Sequence, residues 1–228
     1  MKPEPATKRR LLARRLVQLY IGLFLCGTGI ALMVRAKIGV APWDVLSTGI
    51  ATQTGLSFGL VVILTGLSVL LLWIPLKQRP GLGTISNMVL LGVFADAWLA
   101  VIPFESNLLY RSALFAAGLL LFGLGSGAYI GSRFGPGPRD GLMTGLVRVT
   151  GWPIWLIRTS LEVTVLGVGW LLGGNVGVGT VVFALAIGPI CNLTIPWLTV
   201  PVAVNDELER ELEGDVSPSH VPGDSPAT

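Results

Sequence analysis

The chain has 228 residues, of which 52% are hydrophobic and 13% are charged, and its formal net charge is +3. A soluble domain carries about 25% charged residues, and here the apolar residues form long runs. The composition therefore excludes a water-soluble globular domain, a coiled coil and a disordered chain. It predicts an integral membrane protein, whose main partner is the lipid bilayer.

The chain begins with a basic segment, residues 1–15, followed by an apolar run over residues 16–34. The run is longer than the apolar part of a signal peptide, and further hydrophobic segments follow it, so it predicts a first transmembrane helix. The basic residues before it favour a cytoplasmic N-terminus. Five further runs are near the roughly 20 residues that cross a bilayer: residues 57–76, 81–103, 112–130, 153–172 and 177–200.

Two shorter apolar stretches, residues 42–54 and 138–150, begin with Pro and are followed by Gly. They are too short to cross the membrane comfortably. One interpretation is a half-helix or re-entrant segment covered by protein or lining a cavity. The other is an amphipathic helix at the membrane interface, and both interpretations stay open. Residues 201–228 form an acidic tail that is predicted to be disordered beyond about two helical turns.

An internal repeat appears when the sequence is shifted by 96 positions, which aligns the two halves without a gap. The shift matches Pro, Asp, Thr and paired Gly residues, which chance does not readily align in an apolar sequence. Each repeat then holds three long helices and one short segment, over residues 16–103 and 104–200. The fold class predicted is an all-α, polytopic transmembrane helix bundle with two internal repeats.

The topology depends on the short segments. If they cross the membrane, each repeat has four crossings and the two halves point the same way. If they are re-entrant, each repeat has three crossings and the halves are inverted. The inverted arrangement places most basic loop residues on the same side as the N-terminus, so the positive-inside rule favours it, with both termini cytoplasmic.

Asp44 and Asp140 occupy equivalent positions, each at the third residue of a segment that starts at Pro42 or Pro138. A charge near the bilayer centre costs at least about 2.5–3.5 kcal/mol, so such residues need a reason to be there. In one interpretation each carboxylate satisfies free N–H groups at the start of its own helix. In the other, the two helix starts meet near the midplane and form a site for a cation, an amine or a proton.

Arg158 and Glu162 are four residues apart on one predicted helix and can form an ion pair. The pair either locks two helices together or binds an anionic substrate group through Arg158. Arg139, beside Asp140, belongs to the same polar region. Asp96 and Asn192 are equivalent in the two repeats, and they either hydrogen-bond across helices or line a path.

Other residue types point to few further functions. The single histidine, His220, lies in the polar tail, and Cys26 and Cys191 lie in apolar runs, so neither a metal site nor a disulfide is predicted. We expect no cofactor, no catalytic residue, no enzymatic activity and no nucleic-acid partner. The tryptophans, including Trp43 and Trp73, lie mostly near the ends of spans and are predicted to anchor the chain at the membrane interface.

Four motifs together resemble the YczE family of bacterial integral membrane proteins, which is related to the YitT-type group. They are Arg-Ala-Lys-Ile-Gly-Val-Ala-Pro-Trp-Asp-Val-Leu (35–46), Gly-Leu-Gly-Thr (81–84), Arg-Phe-Gly-Pro-Gly-Pro-Arg-Asp-Gly-Leu (133–142) and Gly-Gly-Asn-Val-Gly-Val-Gly-Thr (173–180). The resemblance covers residues 12–200 and implies a multi-pass protein of the bacterial plasma (inner) membrane. It implies no established activity, so no binding or catalytic residue is carried over from it.

Two functions are consistent with these features. The first is a small secondary transporter or exporter of a small-molecule substrate, in which Asp44 and Asp140 bind a cation or carry protons. The alternative is a membrane scaffold or regulatory partner that transports nothing. A homodimer is left open, because Gly22, Gly27 and Gly29 can pack helices within one chain or between two.

Overall fold

The computed structural model describes residues 5–200, and their side chains from residue 10 onward. Within that part of the chain there are eight α-helices and no strand, so the all-helical class is confirmed. The helices are α1 (Pro5–Ala36), α2 (Pro42–Thr54), α3 (Phe58–Trp73), α4 (Leu82–Val101), α5 (Leu108–Gly131), α6 (Pro138–Thr150), α7 (Ile154–Leu171) and α8 (Val178–Leu198). The predicted acidic tail lies outside the described residues.

Five of these helices are long and apolar enough to cross a membrane: α4, α5, α7, α8 and the Arg10–Ala36 part of α1. Helices α2 and α3 meet at a bend of 117° and together would make a sixth crossing or a re-entrant loop. By length and composition, the described chain is therefore a multi-pass membrane protein.

The bounds of all six predicted spans differ by at least one residue from those of the observed helices, and α5 begins at Leu108 instead of residue 112. The predicted span over residues 57–76 is helical only over Phe58–Trp73, because Pro75, two residues further on, cannot continue the backbone hydrogen bonds. Helix α1 begins at Pro5, so much of the basic segment 1–15 is continuous with the first span instead of preceding it.

Helices α1 and α5 pack against each other at the centre of the bundle, and glycines permit this close approach. A Cβ on Gly22 would lie 2.8 Å from the carbonyl oxygen of Gly125, and one on Gly118 would lie 2.7 Å from that of Gly29. Gly27 faces α4 instead, since its Cβ would lie 2.6 Å from the Cβ of Phe94. Gly22, Gly27 and Gly29, which the sequence allowed to pack helices within one chain or between two chains, therefore all pack helices within one chain.

The α1–α5 pair is held at both ends by arginines. Arg15 donates from Nε to the carbonyl of Ser132 at 2.9 Å, near the end of α5. Arg111 donates from Nε to the carbonyl of Ala36 at 2.6 Å, at the end of α1. The two donors, Arg15 and Arg111, are 96 positions apart in the sequence, and so are the two acceptors, Ala36 and Ser132. The contacts show that α1 and α5 are antiparallel.

Helices α4 and α8 flank this central pair, α4 against α1 and α8 against α5. The first turn of α4 lies beside the loop that follows α5, and the first turn of α8 lies beside the loop that follows α1. The Gly83 N–H donates to the carbonyl of Phe134 at 2.8 Å, and the Gly179 N–H donates to the carbonyl of Ile38 at 2.8 Å. These two hydrogen bonds also correspond at a spacing of 96 residues.

The remaining helices are paired across the molecule, α2 with α7 and α3 with α6. Trp73, at the end of α3, packs over Gly141 of α6, where a Cβ would lie 2.0 Å from the indole ring. Its Nε1 donates to the carbonyl of Pro138 at 3.1 Å. In the other pair, Gly169 of α7 packs directly on the backbone at Leu46 of α2.

One difference between the two halves is large. Helix α3 packs along α4, with Gly59 and Gly92 in backbone contact, whereas α7 has no such packing along α8. At Gly188 of α8, the equivalent of Gly92, a Cβ would meet no atom within 4 Å. The α3–α4 side of the bundle is therefore closed and the α7–α8 side is not.

Candidate functional site

A cavity of about 430 Å³ lies at the centre of the bundle and is lined by residues from all eight helices. This volume is in the range of cavities that hold small molecules. Its lining includes four charged side chains: Arg139 and Asp140 on α6, and Arg158 and Glu162 on α7. The cavity thus gathers most of the polar residues that the sequence singled out.

The first turns of both short helices reach this cavity. Pro42 and Trp43 of α2 and Pro138 of α6 line it. Each helix starts with Pro, whose fixed φ suits the first helical position and whose missing N–H is no loss there. The N-terminal turn of a helix carries free N–H groups and partial positive charge. Asp44 and Asp140, each in the first turn of its short helix, offset that charge.

Asp44 is bound where the two short helices meet. Its Oδ1 lies 3.4 Å from a guanidinium nitrogen of Arg139, and the Asp44 side chain is only 1% exposed. The same guanidinium lies over the indole of Trp43, with Cζ 5.1 Å from the ring centroid. Asp44 therefore faces Arg139 and does not line the cavity.

Asp140 differs from its counterpart Asp44. It is exposed and lines the cavity. Across residues 10–200, no Lys or Arg nitrogen lies within 4.0 Å of its carboxylate. The Tyr129 hydroxyl, on the same side of the cavity, donates to the carbonyl of Gly135 at 3.3 Å.

Arg158 and Glu162 form an ion pair on α7, with Nε 3.1 Å from Oε1. Their side chains are 59% and 38% exposed, and both line the cavity. Each guanidinium at the cavity is thus already matched to a carboxylate. Two arginines, Arg139 and Arg158, thus accompany three acidic residues, because Asp44 belongs to the same cluster. Asp140 is the one of the three with no Lys or Arg nitrogen within 4.0 Å.

Asp96 and Asn192 lie in different surroundings. Asn192 is exposed and lines the cavity. Asp96 binds the start of α3, accepting from the Ser57 hydroxyl at 2.5 Å and from the Gly59 N–H at 2.6 Å. Asp96 therefore fastens α3 to α4, and the structure does not bring the two equivalent residues together.

Several residues at the cavity were not singled out from the sequence. Tyr129, Asn87 and Ser126 line it, and so does Trp43, which was expected at the membrane interface. Trp73, also expected there, is buried against α6. A signal for Trp43 was present in the 96-residue shift, because its equivalent is Arg139.

Comparison with known proteins identifies relatives along most of the chain. Residues 13–196 match DUF6198, a family of unknown function. An uncharacterized protein from Haemophilus influenzae is 40% identical over 75% of this chain and 79% of its own length. The uncharacterized membrane protein YczE from Bacillus subtilis is 33% identical over 78% of this chain and 83% of its own length.

A second Bacillus subtilis protein, the uncharacterized protein YyaS, is 28% identical over 77% of this chain and 90% of its own length. No solved structure matches the chain. The resemblance to YczE that the four motifs indicate is confirmed by the 33% identity over most of both chains. The chain belongs to the DUF6198 family, among whose relatives YczE is a membrane protein.

Proposed function

We propose that this protein is a small secondary transporter or exporter of the bacterial plasma membrane, and that its substrate occupies the central cavity. The observation that carries the proposal is Asp140. Asp140 lines a cavity inside an apolar helix bundle with no Lys or Arg nitrogen within 4.0 Å, and ionisable residues in such places commonly mark substrate or proton pathways. In this proposal the protein moves its substrate without making or breaking a covalent bond in it.

The proposal includes an inverted repeat, which two sets of contacts support. The contacts of Arg15 and Arg111, and those of Gly83 and Gly179, are equivalent at a spacing of 96 residues. The antiparallel packing of α1 and α5 is what two inverted halves would give. Transporters built from such repeats place discontinuous helices and their binding sites at the repeat interface. The meeting of α2 and α6 beside the cavity fits that arrangement.

The difference between α3–α4 and α7–α8 supports two alternating states. If the two halves are repeats of one fold, the conformation found in one half indicates a second conformation for the other. The present state closes α3 onto α4 and leaves α7 apart from α8. In the second state α7 would pack on α8, α3 would separate from α4, and the cavity would open on the other side.

The orientation follows from the same arrangement. With three crossings in each half, both termini lie on one side, and the basic residues near the start of α1 favour the cytoplasm. Of the other sequence-predicted residues, Asn192 would contact the substrate, while Arg158 and Glu162 would set the charge of the cavity. Arg139 and Asp44 would hold the two short helices together.

The proposal is tested by a thermal-shift screen of the purified protein against charged metabolites and drugs. We compare the wild type with Asp140→Asn and with the control Glu105→Gln, an exposed carboxylate outside the cavity lining. A ligand that binds the folded state raises its unfolding temperature, by an amount set by its concentration relative to Kd. The expected hit stabilises the wild type and Glu105→Gln and does not stabilise Asp140→Asn.

Such a hit is then loaded into proteoliposomes, and its flux should be lost in Asp140→Asn while reconstitution is unchanged. Hits that stabilise Asp140→Asn equally contradict the role of Asp140. A screen without any hit, on protein shown to be folded, contradicts the transporter proposal and leads to co-purification experiments for the scaffold alternative.

A further inference from the structure

We infer that the substrate of this cavity is an amphiphilic organic cation, bound by Asp140 and admitted from the bilayer between α7 and α8. The inference rests on the proposed transport function and adds the chemical class of the substrate and its route. Three observations carry it: the unmatched charge, the apolar remainder of the lining, and the unpacked side of the bundle.

We infer a positively charged substrate from the ion pairs that the two arginines at the cavity already make. Arg139 is engaged by Asp44 and Trp43, and Arg158 is engaged by Glu162. An anionic substrate would have to displace one of these carboxylates from its arginine. A monovalent cation needs no such exchange, because Asp140 has no Lys or Arg nitrogen within 4.0 Å for it to displace.

We infer an apolar body for the substrate from the uncharged residues that line the cavity. Around the charged residues the cavity presents aromatic, aliphatic and sulfur-containing side chains, including Phe122, Phe183, Met88, Met143 and Ile187. A small hydrated cation would leave these side chains against water. An organic cation with an apolar body would cover them, and Met and aromatic side chains adapt to such bodies.

We infer the substrate's route of entry by comparing the packing of α3 on α4 with that of α7 and α8. On the closed side, Asp96 binds the start of α3, and Gly59 meets Gly92 so closely that a Cβ on Gly92 would lie 2.3 Å from the Gly59 carbonyl oxygen. On the open side, the position of Gly59 is taken by Trp155, which is 65% exposed, and that of Asp96 by Asn192. Gly59 and Asp96, which fasten α3 to α4, are therefore replaced by other residue types on the open side, whereas Gly92 is matched by Gly188.

The open side is lined by both helices that border it. Arg158 and Leu161 of α7 and Gly188, Cys191 and Asn192 of α8 all line the cavity. The outer faces of these helices carry many exposed apolar side chains, which suit contact with hydrocarbon. A molecule that partitions into the bilayer can thus approach between α7 and α8 and meet Arg158 and Asn192 where the cavity begins.

The test uses three probes of defined chemistry with the full-length protein in nanodiscs. Tetraphenylphosphonium is an apolar cation, tetraphenylborate has the same shape with the opposite charge, and tetramethylammonium has the same charge without the apolar body. We expect tetraphenylphosphonium to bind most tightly, with affinity reduced on the order of tenfold or more in Asp140→Asn, which corresponds to about 1.4 kcal/mol. Tetraphenylborate binding that equals it overturns the assigned charge.

The route is tested with Gly188→Trp, which places a large side chain where a Cβ meets no atom within 4 Å. The matched control is Gly167→Trp on α7, which has the same free space and does not line the cavity. We expect Gly188→Trp to slow association of tetraphenylphosphonium at least about tenfold, Gly188→Leu to slow it less, and the control to leave it unchanged. The graded pair keeps the test valid if one variant folds poorly. Unchanged association in both Gly188 variants overturns the route.

The two proposals fail differently. If the ligands that require Asp140 are hydrophilic and tetraphenylphosphonium does not bind, the amphiphile inference is wrong and the transport proposal stands. If neither the library nor these probes show binding that depends on Asp140, both are wrong.

Discussion

Arg139 lies over the indole ring of Trp43, with its guanidinium carbon 5.1 Å from the ring centroid, and the two residues are 96 positions apart in the sequence. In the proposed arrangement of two repeats, equivalent residues touch each other only where the repeats meet at their symmetry axis. The contact is the one expected if that axis passes beside the first turns of α2 and α6. Arg139 supplies a cation and Trp43 supplies an aromatic face. Their cation–π contact stabilises the junction between α2 and α6.

The first prediction concerns the ion pair at this junction. Arg139→Gln leaves Asp44, which is 1% exposed, without its cation. Removing one partner of a buried pair costs about 3–5 kcal/mol, and we expect the lower end because the Arg139 side chain is 32% exposed. The measurement is the free energy of unfolding in mixed detergent micelles. Adding Asp44→Asn should recover most of the loss, and an equally unstable double variant would show that Asp44 does not depend on Arg139.

A second prediction separates Asp44 from Asp140. Asp140 is exposed and has no cation within 4.0 Å in the described chain, so Asp140→Asn removes no ion pair. We expect its free energy of unfolding to stay within about 0.5 kcal/mol of the wild type, as for a substitution away from packed features. Its ligand binding should nevertheless be lost. A large loss of stability would instead indicate that Asp140 holds the start of α6.

A third prediction contrasts Asp96 with its equivalent Asn192. Asp96→Ala leaves the Ser57 hydroxyl and the Gly59 N–H without their acceptor and should cost about 1–3 kcal/mol of stability. Asn192→Ala removes a side chain that lines the cavity, so we expect weaker ligand binding and little change in stability. Thermal unfolding and equilibrium binding, measured on both variants, check the contrast. The reverse pattern, with Asp96→Ala weakening binding alone, would contradict the structural role of Asp96.

A fourth prediction concerns the packing of Trp73 on Gly141. A methyl group on Gly141 would lie 2.0 Å from the rigid indole, so Gly141→Ala should destabilise the protein by about 1–3 kcal/mol. Gly167→Ala is the matched control, because a Cβ there meets no atom within 4 Å and alanine favours a helix by roughly 0.5–1 kcal/mol over glycine. Replacing Trp73 with Phe should partly rescue Gly141→Ala. Equal stability of the two alanine variants would mean that α3 and α6 are not held as closely as described.

The sequence predicts some of these features well and others not at all. Residues 42–54 and 138–150 are the bounds of α2 and α6, because Pro marks each start and a Gly with positive φ follows each end. Local signals of this kind do not depend on the rest of the fold. The pairing of Asp44 with Arg139 was not predictable, since it depends on how two distant helices approach each other. Nor does the sequence reveal that α3 packs on α4 while α7 stands apart from α8.

The last prediction tests the two alternating states directly. Spin labels replace Leu64 on α3 and Ile85 on α4, or their equivalents Ser160 on α7 and Val181 on α8, all of which are exposed. If the repeats exchange conformations, double electron–electron resonance should give two distance populations for each pair, with the α3–α4 pair shorter in the state whose α7–α8 pair is longer. A ligand that favours one state should change both distributions in opposite directions, because it shifts one equilibrium. A single, ligand-independent distance for both pairs would contradict alternating access through these helices.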